Sequence, residues 1–178
     1  MAIEVEKKAI VEEADLERIR EALTKMGAED LGKNDTESYF YLHDDYQLKV
    51  QIQLSKGAAK IAWKSGGFNG ASAREEIELP FPVEQGKNAH KLMDRLLPEL
   101  KKVRTLQKRH DLKLGDIEIA LKWSEQWKFH IELDTNVEDE AGTQNALQEL
   151  EGLAQKLDIH LMTEAEEKAL TDAILKTL

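Results

Sequence analysis

A short segment near the start of the chain places a charge at every second position of an otherwise apolar run. Residues 3–11 read Ile-Glu-Val-Glu-Lys-Lys-Ala-Ile-Val, which predicts a β-strand with Glu4, Glu6 and Lys8 on one face. Two carboxylates on such a face lie about 6.7 Å apart and repel each other by roughly 2.5 kcal/mol at an effective dielectric constant near 20. The fold must therefore place this face in open water or opposite cations.

The composition limits the classes of protein that fit. The chain has 178 residues, no cysteine and a net charge of -10, so we expect one domain over residues 1–178 without disulfides or thiolate metal sites. It shows neither a basic and apolar leader nor an apolar run of membrane-spanning length, which predicts a soluble, cytoplasmic protein with no membrane partner. The acidic charge argues against general nucleic-acid binding, because phosphate chains would be repelled.

Alternating apolar residues predict further strands of the same kind. They lie from residue 38 onward, at 47–54, 60–64 and 74–79, in a basic stretch through residue 109, and at 117–123 and 127–134. With the first segment they make about eight strands. Helical spacing predicts helices at 15–26 and 89–100, with Pro98 leaving the end of the second uncertain, and a helical segment at about 142–178. Within that segment, Thr163 and Glu166 have the spacing of a capping box.

The polar faces of these strands carry charges at two-residue spacing. Any one face could lie in water, since an antiparallel sheet often keeps one side solvated. The recurrence of charged faces over several strands instead favours an α+β fold. We expect a closed eight-stranded antiparallel β tunnel at about 3–135, with its apolar faces outward under helices. Carboxylates hold hard divalent cations and Lys and Arg neutralise phosphate, so this lining predicts a polyphosphate substrate.

Five segments, in chain order, resemble a known family. Residues 4–8, Glu-Val-Glu-Lys-Lys, match the E-x-E-x-K signature that opens the CYTH superfamily, the triphosphate tunnel metalloenzymes. This superfamily includes class IV adenylate cyclases and thiamine or inorganic triphosphatases. Residues 48–51 resemble its basic third strand, 61–64 its lysine strand, 74–78 its R-x-E-x-E strand and 132–134 the acidic pair that closes the tunnel.

The resemblance implies a role for particular side chains. A divalent cation, Mg²⁺ or Mn²⁺, would be held by Glu4, Glu6, Glu132 and Asp134. The catalytic group would be Glu4, Glu6, Lys8 and Glu76, the last as a further ligand or a water-orienting carboxylate. The triphosphate would be bound by Lys8, Lys49, Lys64, Arg74 and Arg109. Alternation does not fix the register near Arg109, so Lys108 could occupy the inward position instead.

Several positions differ from the family pattern, among them residues 37–41, which match its second strand only loosely, and Asp134, which replaces a glutamate. Gln51 stands where a second arginine often occurs, and Lys122 where many members carry a metal-side aspartate. A lysine at position 122 would reduce the acidic charge available to a second metal, or it would contact phosphate.

The expected function is divalent-metal-dependent hydrolysis of an inorganic, thiamine or nucleoside triphosphate, by a monomer or a homodimer. A class IV-type adenylate cyclase that makes cyclic AMP and pyrophosphate is the first alternative. A non-catalytic module that binds a triphosphate or nucleotide is the second. The expected partner in each case is a small-molecule triphosphate.

The remaining motifs favour structural roles. Glycines 66, 67 and 70 lack the Gly-Lys-Ser/Thr ending of a phosphate-binding loop, so we interpret them as a hairpin turn. The five histidines show no pair at zinc-ligand spacing, and we expect His130 alone to face the tunnel. Trp63, Trp123 and Trp127 are expected to pack between the barrel and the helices.

Overall fold

The structure, a computed structural model, describes residues 3–67 and 72–177. Within these residues the strands are β1 Ile3–Ile10, β2 Glu29–Lys33, β3 Thr36–Leu42, β4 Tyr46–Gln53, β5 Ala58–Ser65, β6 Ala73–Pro82, β7 Lys101–Leu114, β8 Ile117–Ser124 and β9 Lys128–Val137. The α-helices are α1 Glu13–Lys25, α2 Gly86–Leu96, α3 Glu140–Leu157 and α4 Glu164–Thr177, and a 3₁₀ turn covers Val83–Gln85. Gly70, the last glycine of the predicted turn, lies outside the described residues.

Eight of these strands form the closed antiparallel barrel that the sequence predicts. Their order is β7-β3-β4-β5-β6-β1-β9-β8, and the pairing of β8 with β7 closes the ring. The long strand β7 makes the closure possible, because its first half pairs with β3 and its second half pairs with β8. Closure leaves no free edge within the ring and encloses one face of every strand.

The apolar faces of β1, β8 and β9 point outward and form the main hydrophobic core with α1 and α3. Val5 on β1 and Ile131 on β9 are fully buried there, together with Leu23 of α1 and Leu150 of α3. Successive side chains of a strand point to opposite faces, so the charged residues between these apolar ones point to the inner side of the barrel. Burial of the outer faces therefore turns the charged faces inward.

Helix α2 covers a different part of the barrel, over β4 and β5. Its first residue, Gly86, approaches β4 so closely that a side-chain Cβ would lie 2.7 Å from Ile52. The buried Tyr41 hydroxyl donates to Asp94 of α2 at 3.2 Å and also contacts His90. This helix is thus fixed by close packing and by a polar network that lies outside the tunnel.

Helix α4 begins with the predicted capping box and then crosses one end of the barrel. The Glu166 amide donates to the Thr163 hydroxyl at 3.2 Å, while the Thr163 amide donates to the Glu166 carboxylate at 2.7 Å. Just before the helix, the Met162 amide donates to the Lys8 carbonyl oxygen of β1 at 2.8 Å. These bonds bring the inner face of α4 against the tunnel.

The structure differs from the sequence-based prediction at a few places. Strand β2 was not predicted, because its residues are mostly exposed and do not alternate; it pairs with residues 110–113 in the second half of β7. Helix α1 covers Glu13–Lys25, two residues earlier at its start than expected, and α2 ends at Leu96, before Pro98. Among the described helices, none combines the length and apolar composition needed to cross a membrane.

Candidate active site in a charged tunnel

The inside of the barrel is a cavity of about 510 Å³ lined mainly by charged side chains. Its carboxylates are Glu4, Glu6, Glu76, Glu78, Glu118, Glu132, Asp134 and Glu167. Its cationic side chains are Lys8, Lys49, Lys60, Lys64, Arg74, Arg109 and Lys122. Every site residue predicted from the sequence lies on this lining, so the structure brings together groups from six different strands.

Lys64 lies at the junction of three strands. The register of β5 with β6 places it opposite Glu76, and its side chain, 7% exposed, also forms an ion pair with Glu4 on β1. Its ammonium lies 3.4 Å from Glu6 and 3.7 Å from Glu76. Burial raises the pKa of Glu76 to about 7, since the nearby Glu4 carboxylate offsets part of the attraction of Lys64. Glu76 can therefore exchange a proton near neutral pH.

Glu6 is the carboxylate with the most cationic neighbours. It forms an ion pair with Lys8 on its own strand and lies 3.7 Å from Arg74 on β6. Burial alone would raise the pKa of Glu6, but Lys64, Lys8 and Arg74 hold it well below its usual value. Glu6 is thus an anion at neutral pH, available to a metal ion.

Lys8 connects the barrel wall to helix α4. Its ammonium lies 2.5 Å from the Glu167 carboxylate, which reaches into the tunnel from the helix. Burial disfavours the charged form of Lys8, but Glu6, Glu167 and Glu132 together raise its pKa. The Glu167 carboxylate therefore pairs with the lysine that the family resemblance assigns to phosphate binding.

Three carboxylates lie side by side across neighbouring strands. The register places Glu6 opposite Asp134, and Asp134 opposite Glu118. Neither Asp134 nor Glu118 forms an ion pair with any residue that the structure describes. Burial raises the pKa of Asp134 to about 8, and the charges of Glu4 and Glu6 add to this effect. This part of the tunnel carries an excess of negative charge.

Glu132, two residues before Asp134 on β9, has lysines as its neighbours. Lys8 lies opposite it on β1, and Lys122 reaches it from β8 and forms an ion pair. Burial would raise the pKa of Glu132, yet Lys122 and then Lys8 lower it to about 2 despite repulsion from Glu6. Lys122, whose side chain is 6% exposed, has its own pKa lowered by burial. Glu132 is already neutralised by protein cations.

Arg109 points into the tunnel, and its neighbour Lys108 does not. The Lys108 ammonium lies 5.5 Å from the centre of the Trp123 ring, whereas Arg109 lines the cavity. The Arg109 Nε donates to Asp111, whose second oxygen accepts from the Asn34 amide at 2.7 Å. The register that alternation left open is thus resolved in favour of Arg109.

Lys49 differs from the other cations of the lining in forming no ion pair with the described residues. Within residues 3–67 and 72–177, no carboxylate lies at ion-pair distance from its ammonium. Burial, together with the charges of Lys64 and Lys60, lowers the pKa of Lys49 to about 8. An anion that entered the tunnel would relieve this repulsion.

Several residues of the site were not found from the sequence. Trp127 was predicted to pack outside the barrel, and this was wrong: its ring lines the tunnel and lies 5.7 Å from the Lys8 ammonium. It precedes the first residue of β9, so the alternation of that strand does not apply to it. Glu167 and Thr171 come from α4, a helix with no sequence signal that links it to the barrel interior. His130 lines the tunnel as predicted.

The donor set suits a hard divalent cation, although the side chains do not yet form a coordination shell. In the described part of the chain, no three Asp, Glu or His groups already lie together as metal ligands. The reason is that Glu4 and Glu6 currently bind lysines. Carboxylate oxygens are the ligands that Mg²⁺ and Mn²⁺ prefer. Asp134 is a carboxyl group that forms no ion pair within residues 3–67 and 72–177.

These features define a class of protein, an antiparallel β tunnel whose interior is lined by carboxylates, lysines and arginines. The sequence profile of the CYTH domain matches residues 2–168, and the chain belongs to the CYTH family. Members of this family are enzymes that act on small-molecule triphosphates with the help of divalent metals. No curated protein matches the chain in sequence.

Solved structures share the fold. PH1819 from Pyrococcus horikoshii OT3 is 21% identical, with a TM-score of 0.77 over 98% of this chain and 99% of that chain. A candidate adenylate cyclase from Vibrio parahaemolyticus is 15% identical, with a TM-score of 0.68 over 92% and 91%. HpAC1 from Hippeastrum, described as a candidate adenylyl cyclase with a dominant triphosphatase activity, is 13% identical, with a TM-score of 0.62 over 90% of each chain. At these identities the likeness shows the fold alone.

Proposed function

We propose that this protein hydrolyses a triphosphate in a reaction that depends on a divalent metal. The observation that carries the proposal is the convergence of Lys8, Lys64 and Arg74 on the Glu4 and Glu6 carboxylates inside a closed barrel. Cations and carboxylates that belong to a solvated surface would spread over the exterior. Here they are enclosed around a cavity of about 510 Å³, a size suited to a small ligand.

The cations of the lining would bind and align the chain of phosphates. Phosphoryl transfer depends mainly on positioning and on neutralising charge, so ammonium and guanidinium groups from several strands suit this substrate. Lys49 has no anionic partner in the described structure, and Arg109 is oriented by Asp111. Lys49 and Arg109 could therefore each bind a phosphate oxygen without breaking an ion pair with a carboxylate of another strand.

A divalent cation would be held by carboxylates of β1 and β9, chiefly Glu4, Glu6 and Asp134. When bound, it would polarise a phosphoryl oxygen and offset the negative charge of the substrate. Glu76 would orient the attacking water and accept its proton, because a carboxylate with a pKa of about 7 has the proton affinity required of a base near neutral pH. The products would be diphosphate and phosphate.

Adenylate cyclase activity is the second candidate. Trp127 lies on the tunnel lining, and an aromatic ring gives a nucleotide base a surface on which to stack. In that reaction a ribose 3′-hydroxyl would attack the α-phosphate, and the same cations would bind the pyrophosphate that leaves. HpAC1, which shares the fold, has a dominant triphosphatase activity, and this supports our ranking of hydrolysis first.

One assay separates these functions from simple binding. Purified protein with Mg²⁺ or Mn²⁺ is given tripolyphosphate, thiamine triphosphate or ATP, and phosphate, cyclic AMP and binding heat are measured. We expect phosphate release that is lost in Lys64→Met and kept in Lys108→Met, since Lys108 lies outside the tunnel. Cyclic AMP would support the cyclase, and heat without product would support a binding module. Equal activity in both variants would contradict the proposed site.

A further inference from the structure

The charges of the tunnel are separated along β9. Glu132 faces Lys8 and Lys122, whereas Asp134, on the same side of the strand, faces Glu6 and Glu118. The spacing between the two carboxyl residues is only about 6.7 Å along a strand. A lysine of the protein therefore pairs directly with Glu132, whereas Asp134 forms no ion pair with any residue that the structure describes.

The position of Lys122 in the barrel brings its ammonium group to the Glu132 carboxylate. On β8 the residue opposite Glu132 is Ala120, and Lys122, two residues further along the strand, reaches the Glu132 carboxylate and forms an ion pair with it. On its other side Lys122 lies opposite Arg109 of β7, whose positive charge disfavours a further cation there. The Lys122 side chain is 6% exposed, so its ion pair with Glu132 is shielded from solvent.

We infer that Lys122 is a built-in cation that takes the place of a second metal ion at Glu132, so that the tunnel binds one divalent ion, beside Asp134 and Glu6. This inference rests on the proposed function, because it concerns the metal on which that function depends. It also reassigns Glu132, which the sequence placed among the metal ligands, to a partner of Lys122 and Lys8.

The charge balance supports a single ion. Around Asp134 the carboxylates of Glu4, Glu6 and Glu118 contribute negative charge, with Lys64 and Lys8 as the adjacent cations. A divalent ion there would offset the remaining repulsion. At Glu132 the Lys122 ammonium already forms a direct ion pair with the carboxylate, so a divalent ion at this position would meet the positive charge of a lysine that is 6% exposed.

The first test compares two carboxylates of β9 by Mn²⁺ titration of the full chain, with the signal of free Mn²⁺ followed by electron paramagnetic resonance. We expect wild type to bind one Mn²⁺ per chain. Asp134→Asn should weaken binding at least tenfold, while Glu132→Gln should change it by no more than about threefold, because a group that does not touch the ion contributes little. Two ions per wild-type chain, or equal losses in the two variants, would overturn the inference.

The second test removes the lysine. Lys122→Asp and Lys122→Met should each bind a second Mn²⁺, more tightly in the aspartate variant, and Lys108→Met should still bind one. Circular dichroism checks whether the Lys122 variants are folded. If they are not, the titrations of wild type and Glu132→Gln still test whether Glu132 binds a metal ion. A single ion in both folded Lys122 variants would overturn the inference.

Failure of this inference differs from failure of the proposed function. Wild type that binds two Mn²⁺ ions and releases phosphate from tripolyphosphate would refute the role of Lys122 and leave hydrolysis standing. Wild type that binds no Mn²⁺ and releases no phosphate would refute both.

Discussion

Replacing Asp134 by asparagine should stabilise the metal-free protein, and the gain should grow with pH. Asp134 lies between Glu6 and Glu118, and its pKa is raised from 3.8 to about 8. The folded state thus holds this proton more tightly than the unfolded chain does, so the folded state loses stability as pH rises from about 4 to about 8. Asparagine keeps the shape of the side chain and removes the penalty.

The magnitude follows from the shift in pKa. The pKa of Asp134 is raised from 3.8 to about 8. At pH 7 only the part of this shift that lies below 7 counts, which corresponds to a ceiling of about 4 kcal/mol at about 1.36 kcal/mol per unit. Glu118 is exposed, and water in the tunnel screens the repulsion, so we expect a gain of about 1 to 2 kcal/mol. At pH 5 the difference should be smaller.

The assay is urea unfolding with a chelator at pH 5, 6.5 and 8, for wild type, Asp134→Asn and a control. Asp172→Asn serves as the control, because the side chain of this α4 residue is 45% exposed and pairs with Lys168 on the same helix. This substitution should change the free energy of unfolding by less than about 0.5 kcal/mol. The reasoning would be refuted if Asp134→Asn lowered stability, or if its effect were the same at every pH. With Mn²⁺ present, wild type should gain stability that Asp134→Asn does not.

Three further predictions concern turnover, substrate affinity and pH. Glu6→Gln should lower metal-dependent phosphate release at least a hundredfold, and Glu84→Gln, outside the tunnel in the 3₁₀ turn, should not; comparable rates would contradict the site. Glu167→Gln should bind tripolyphosphate several-fold more tightly by calorimetry, since the Glu167 carboxylate now occupies Lys8; weaker binding would show that the contact only supports the fold. Mn²⁺ affinity should rise from pH 6 to pH 8, because Asp134, with a pKa of about 8, must lose its proton to bind the ion. Calorimetry in buffers of different ionisation enthalpy should detect the proton that is released. A pH-independent affinity would count against Asp134 as a ligand.

Much of the fold follows from alternation along the strands. Lys49, Lys64 and Arg74 were placed on one inner surface because side chains of a strand alternate with period two, and all three line the cavity. The outward apolar faces also follow, since residues such as Val5 and Ile131 need a covering helix. Strand β2 was missed because its residues carry no such alternation.

The electrostatics of the site depend on strand register, which the sequence does not contain. Asp134 lies opposite Glu118 because of the pairing of β8 with β9, and a shift of one residue would place an isoleucine, Ile117 or Ile119, opposite it instead. Trp127 and Glu167 were beyond reach for a different reason. One lies in a turn and the other on a helix 159 residues from its partner Lys8, so neither belongs to a strand pattern.

A crystal structure with Mn²⁺ and tripolyphosphate tests the central claim most directly. The account predicts a chain of phosphates inside the barrel in contact with Lys8, Lys64 and Arg74, and one anomalous Mn²⁺ peak bound by Glu6 and Asp134. Phosphate found only on the outer surface of the barrel, or a metal ion held away from both carboxylates, would contradict it.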